Sequence, residues 1–301
     1  GDNAANVFVL ADELPFVNFD SEEGDNFSEY TLKTVGVERN PIGLFGSGYI
    51  ELLAREMTVD LEGIVTNARE EAKAAGSPVT KVLVTKDVNF GQITARPDGT
   101  LDTSDVEGVD DDLVIRPFMQ KGVIVSLREF AVKALNQHFG MQASENFGDG
   151  VDADRDGVVD ELSRGDLTAL VIFQATLPVP GQVIPAHPKA QVAVERGKEM
   201  FSTLGCNVCH VPELRLESPI FTEPNPFNPP GKLQATDVSN PLPVDLTRES
   251  SRPRLREQSD GSVMVPAYTD LKRHDMGPRL NNDVLEQDGV PTNEWLTRKL
   301  W

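Results

Sequence analysis

The chain has 301 residues, with 28 Lys and Arg against 48 Asp and Glu and a formal charge of −20. That balance excludes a nucleic-acid footprint, which needs a basic face, and it favours attraction to basic partners. No apolar run reaches the ~18 residues of a membrane-spanning helix, and the length leaves room for two domains.

Residues 1–40 are polar and acidic and read as irregular, with one strand near 7–10. No leader is visible at Gly1. Gly43, Gly46 and Gly48 make a turn that leads into a helix from about Ser47. Ile50, Leu53, Ala54 and Met57 line one face of it, and the helix runs on to Gly76-Ser77-Pro78. The glycine spacing does not mark a nucleotide site, because no strand–helix–strand unit follows. Residues 80–88 and 90–96 alternate as two strands, with a turn at Pro97-Asp98-Gly99. Residues 102–112 form an acidic loop. Ile124, Leu127, Ala131, Ala134, Leu135 and His138 share one face of a helix predicted over 117–139. His138 sits at its end, where a positive charge is favourable. A further helix is predicted over 162–177, stopped by Pro178.

Residues 150–161 read GVDADRDGVVDE. Asp152, Asp154 and Asp156 present carboxylates at alternate positions, Gly157 permits a sharp turn, the Val158 carbonyl is the next donor, and Asp160 holds the ninth place. This is most of an EF-hand-type calcium loop. The twelfth position is Ser163 rather than Glu, with Glu161 as a substitute from shifted geometry. Five carboxylates this close repel one another unless a cation neutralises them.

The stretch from 178 to 188, with His187 between two prolines, reads as a domain boundary, giving domains 1–180 and 181–301. Ala193, Gly197, Met200, Phe201 and Leu204 then recur at helical spacing, and Gly205 ends that helix. Cys206, Cys209 and His210 follow as C-x-x-C-H, the spacing of a c-type haem attachment site. Two thiols three residues apart can each bond one vinyl group of the same porphyrin, and His210 supplies an axial nitrogen. The run uses both cysteines of the chain. A zinc site needs about four N/S ligands, and His138, His187 and His274 form no paired motif. A redox dithiol expects a βαβ context, which is missing. Nine prolines between 212 and 253 exclude regular helix or sheet there, and a long ordered loop of this kind suits the edge of a haem. Residues 263–268 read as extended. The run from Tyr268 to Pro278 then brings together His274 and Met276, both iron donors. Met276 is preferred as the second axial ligand, with His274 as the alternative.

Four stretches carry a family resemblance: LFGSGYIE at 44–51, RGKEMFSTLGCNVCHVPEL at 196–214, YTDLKRHDMGPRL at 268–280 and EWLTRKLW at 294–301. Together they resemble the di-haem oxidoreductase (thiol-oxidoreductase-like) family, relatives of the bacterial di-haem cytochrome c peroxidases. The resemblance implies a ligand in the His274–Met276 run. It also implies a second C-x-x-C-H site, which would lie before residue 1, and a further segment after Trp301. The chain therefore reads as an internal fragment of a di-haem protein or as a single-haem variant. The resemblance implies that its site corresponds to the C-terminal, electron-transfer haem of the peroxidases.

The expected fold class is mainly α, with long irregular loops, a small β-hairpin and a C-terminal cytochrome c-like haem domain. The expected function is single-electron transfer through haem c, with a structural Ca2+. A basic redox partner protein is expected, and an oligomer is allowed. The alternatives are a peroxidase-like enzyme with open iron or a second haem, and a haem-bearing structural or filament subunit. Haem attachment to this motif takes place outside the bacterial inner membrane, so a periplasmic or extracellular location is expected, with a leader removed.

Overall fold

In the computed structural model, residues 43–281 and 286–301 are described; the strand expected near 7–10 lies outside them. The first element, α1 (Ser47–Ala75), starts after Gly46 and ends at Gly76, both in the left-handed region. The apolar face read from the sequence is buried and extends through Leu61, Val65, Ala68 and Ala72. Gly48 lets α1 touch the end of a later helix, since a Cβ there would lie 2.3 Å from the Ala175 carbonyl oxygen.

A hairpin packs on α1. Strands β1 (Val79–Thr85) and β2 (Val88–Ala95) pair antiparallel, and β3 (Leu101–Asp102) extends the sheet. The two turn residues Lys86 and Asp87 both have positive φ, which matches the right-handed twist of a tight hairpin. Leu83, Phe90, Ile93 and Ala95 face the core.

The helix expected over 117–139 is shorter. Residues before 127 reverse direction, with Phe118 bridging Ile124 and positive φ at Met119 and Gly122. Helix α2 (Leu127–Phe139) starts where the Ser126 hydroxyl accepts from Glu129 N. The Glu129 carboxylate accepts from Val125 N, one residue before the cap, at 3.0 Å, so hydrogen bonds in both directions fix the start. His138 is exposed in the last turn of α2. After the short α3 (Ser144–Phe147) comes α4 (Arg164–Ala175), capped by Ser163 and Asp166. Helix α5 (Pro188–Thr203) follows the exposed link after residue 179.

Beyond α5 the expected fold class is wrong. Among the described residues, helix accounts for 31% and strand for 17%, several small antiparallel sheets are present, and no cytochrome c fold is shown. β4 (Leu214–Leu216) pairs with β7 (Val263–Val265), β5 (Ile220–Thr222) with β6 (Pro243–Asp245), and β8 (Arg273–Asp275) with β9 (Glu294–Leu296). Each strand has three residues. Such short, proline-interrupted strands lack the alternation that marks a strand, and their partners lie far along the chain. Residues from both sides of position 180 share one core, in which Leu53, Met57 and Phe90 join Leu216, Phe221, Val244 and Val265.

Buried charge ties these parts together. Arg128, fully buried, donates to Glu145, to Glu223 at 2.8 Å, to Thr168 Oγ1 at 3.0 Å and to the Arg164 carbonyl at 3.1 Å. Glu51, also fully buried, pairs with Arg55 and accepts from Leu127 N at 2.7 Å and Asn225 Nδ2 at 2.8 Å. Three buried carboxylates therefore share two guanidinium groups. Burial first, and then the Glu51 charge, push the Glu223 carboxyl up to about 7. The folded protein then holds a proton that the unfolded chain releases near pH 4.5, so stability falls as pH rises from about 4.5 to 7. Glu223→Gln should flatten the loss of melting stability between pH 5 and 8 by on the order of 1–3 kcal/mol. Parallel slopes for the two proteins would contradict the assignment.

Candidate cofactor site around the paired cysteines

Helix α5 delivers the cysteines. Its N-cap is His187, whose Nδ1 accepts from Lys189 N at 3.2 Å, so this histidine is a cap as well as a loop residue. Its far end closes with Leu204 N donating to the Met200 carbonyl, and Gly205 then takes a left-handed turn. A 3-10 turn, Cys206–Val208, follows, and His210 N donates back to the Cys206 carbonyl at 2.9 Å. Cys206 is exposed and Cys209 partly buried, both as free thiols. Residues three apart in such a turn are neighbours on one face.

The His210 ring is oriented from behind. Its Nδ1 lies 2.9 Å from the Tyr268 carbonyl oxygen. A carbonyl only accepts, so Nδ1 carries the proton and Nε2 presents its lone pair. Metal-binding imidazoles are held in this way. Phe201 of α5 packs edge-on to Tyr268 at 5.6 Å and lies 6.4 Å from the His210 ring. Tyr268 itself has φ 52, a costly conformation for a bulky residue. Its amide donates to the Pro212 carbonyl at 3.3 Å, and Leu300 N donates to the Ala267 carbonyl at 3.0 Å. These bonds pin the run to both the C-x-x-C-H turn and the last residues of the chain.

Several apolar residues around the cysteines stay exposed. Every residue of α5 keeps solvent exposure. Leu204 and Val208, which flank Cys206, are 70% and 75% exposed. Met200, Met276 and Leu280 are about half exposed. Gly197 faces open space. Scattered exposed apolar side chains are ordinary, but a group of them around one motif marks a surface that binds something apolar.

His274 and Met276 lie on and just after β8. His274 Nε2 is 2.7 Å from Oδ2 of the buried Asp270, and its Nδ1 is 3.9 Å from Cys209 Sγ. Both imidazole nitrogens therefore have neighbours. Met276 continues the ladder through its amide, which donates to the Asn293 carbonyl at 2.9 Å. Burial first, and then the Asp270 charge, push the Cys209 thiol up. A thiol held in its neutral form does not suit a redox dithiol, which works as a thiolate.

The aspartate loop forms in part. Asp152, Asp154 and Asp156 bring carboxylate oxygens within 4.8 Å of one another, and Gly157 takes the predicted sharp turn with φ 93. Oδ1 of Asp152 is buried and accepts no hydrogen bond among the described residues. Asp160 is outside this group, and its Oδ1 accepts from Gly150 N at 2.8 Å and Ser144 Oγ at 3.1 Å. Val158 N donates to Asp156 Oδ1 at 2.8 Å. Glu161 accepts from Gln142 N. Ser163 is absent from the ligand position because it caps α4.

Sequence reasoning singled out the paired cysteines, His210, His274 and Met276. It missed the Tyr268 carbonyl, the Phe201 contact and the approach of His274 to Cys209. The i, i+4 spacing of Asp270 and His274 was a usable signal; the other contacts cross nearly sixty residues or more, or involve backbone.

No family model matches the chain, and no curated protein or solved structure matches it.

The His210 tautomer is directly measurable. In the haem-free chain, long-range 1H–15N spectra should place the neutral-ring proton on Nδ1. A proton on Nε2 would contradict the Tyr268 contact.

Proposed function

We propose that the chain holds one c-type haem on Cys206 and Cys209, with His210 as an axial ligand, and that it transfers single electrons. The observation that carries this reading is the His210 ring, fixed by the Tyr268 carbonyl with Nε2 free, next to two free thiols in one turn. The uncovered Met200, Leu204 and Val208 supply the apolar contacts a porphyrin face needs. When bound, haem supplies a reversible one-electron iron couple. The protein's own contribution is attachment through the two thiols, ring orientation through Tyr268 and Phe201, and a second axial donor. Met276 is that donor in this reading, because His274 is committed to Asp270 and Cys209. The resemblance to di-haem oxidoreductases supports the same assignment, and a periplasmic or extracellular location follows from haem attachment. The charge of −20 favours a basic redox partner. Among the described residues, no helix is long and apolar enough to cross a membrane.

A calcium ion in the aspartate loop is the second cofactor proposed. Its support is the buried, unpartnered Oδ1 of Asp152 beside Asp154 and Asp156. Backbone oxygens such as that of Val158, and water, would complete a six- to eight-fold oxygen shell. Asp160 shapes the loop from behind rather than completing the cluster.

Denaturation and acid extraction into organic solvent should leave the haem with the protein. Haem that extracts freely would overturn the covalent claim. The wild-type ferric protein should show the weak far-red band of methionine ligation, which Met276→Ala abolishes and His274→Ala leaves. Survival of the band in Met276→Ala, with high-spin iron in His274→Ala, would reverse the ligand assignment. Excess chelator should lower the melting temperature by roughly 5 °C, and Asp152→Asn should remove that sensitivity. An unchanged melting curve, with no calcium by elemental analysis, would remove the ion.

A further inference from the structure

The fold places His274 next to Cys209 although 65 residues separate them. The arrangement is ordered: Cys209 Sγ, then His274 Nδ1 at 3.9 Å, and on the far side of the ring Asp270 Oδ2 at 2.7 Å from Nε2. Asp270 is 2% exposed. Its other oxygen, Oδ1, accepts from Lys272 N at 3.0 Å, so the carboxylate is fixed. Candidate donor atoms of Cys209, Asp270 and His274 all lie within 4.8 Å of one another.

In a tetrahedral site with metal–sulfur and metal–nitrogen bonds of about 2.3 and 2.0 Å, the two ligand atoms stand about 3.6 Å apart. The Cys209–His274 separation is close to that edge. A carboxylate on the far nitrogen is the usual support for a metal-bound imidazole, since it fixes the tautomer and raises basicity. Cys206, exposed and three residues earlier in the chain, lies outside that cluster but offers a second thiol at the C-x-x-C spacing of zinc sites.

We propose that the haem-free chain binds one thiophilic divalent cation of the zinc class through Cys209, His274 and Cys206, with Asp270 positioning the imidazole and water completing the shell. Haem attachment uses both sulfurs as thioethers, so the ion and the haem are mutually exclusive. The ion would hold the C-x-x-C-H turn against the 268–276 run until haem replaces it. This inference does not depend on the electron-transfer reading.

The test is titration of the full haem-free chain with Co2+ alone. One equivalent should produce the sulfur-to-cobalt charge-transfer band and the intense visible bands of tetrahedral cobalt, both reversed by zinc. Cys209→Ser and His274→Gln should abolish the tetrahedral spectrum, and Met276→Ala should leave it. Asp270→Asn keeps all three ligands and should weaken binding about 10- to 100-fold. It serves as the deciding variant if a ligand substitution unfolds the chain. The absence of a charge-transfer band, a band indifferent to His274→Gln, or an unchanged affinity in Asp270→Asn would each overturn the proposal. Cobalt held only by the aspartate loop gives no charge-transfer band and counts against it. A haem count per chain on the haem-loaded protein is independent: it can fail while the cobalt band stands, and the reverse.

Discussion

The guanidinium of Arg128, fully buried and shared between Glu145 and Glu223, is the constraint on which the rest depends. A buried charge is tolerable only when paired and hydrogen-bonded, and removing one partner of such a pair costs about 3–5 kcal/mol. The partners of Arg128 come from before and after the C-x-x-C-H turn. Glu51 does the same from α1, holding the start of α2 and Asn225. The proline-rich stretch, against the expectation that its prolines exclude sheet, forms short ladders at β4, β5 and β6, and side chains satisfy much of the backbone between them. Gln234 Nε2 alone donates to the carbonyls of Asn228, Pro229 and Lys232. Electrostatic pairing thus gives the irregular half a fixed path over the α1 core.

That fixed path positions the site. Pairing of β4 with β7 brings the chain after His210 alongside the chain before Tyr268, and the Tyr268 amide and carbonyl bond to Pro212 and His210. Pairing of β8 with β9, with His274 opposite Trp295, presents His274 to Cys209. Positive φ at Tyr268 and Leu271 shows that this run is shaped by its surroundings rather than by local preference, as in functional loops. What remains open is the apolar surface of α5 and the cysteine turn, the face on which we propose that a porphyrin is held.

Legibility followed the range of the forces. The buried face of α1, its stop at Gly76, the hairpin of β1 and β2 and the stretch around α4 could be read because period, cap and turn are local. The reversal before α2 was hidden because Phe118 and Ile124 pair across a turn while fitting a helical spacing. The three short ladders after residue 214 were hidden because each joins segments whose partner lies elsewhere in the chain, so the expected cytochrome c-like fold gave way to small antiparallel sheets. At the site, C-x-x-C-H and the His274–Met276 run stood out in the sequence as residue types able to bind a cofactor. Their mutual approach was not, and neither was the loss of Asp160 to Gly150 and Ser144.

The central claim is that Cys206 and Cys209 bind haem covalently. It is tested most directly by the intact mass of the chain produced where c-type haem attachment takes place, followed by peptide mapping. The account predicts a mass increase of one haem, carried by the peptide containing Cys206, Cys209 and His210. A bare polypeptide mass with both thiols free, from cells that attach haem to a control cytochrome, would contradict it.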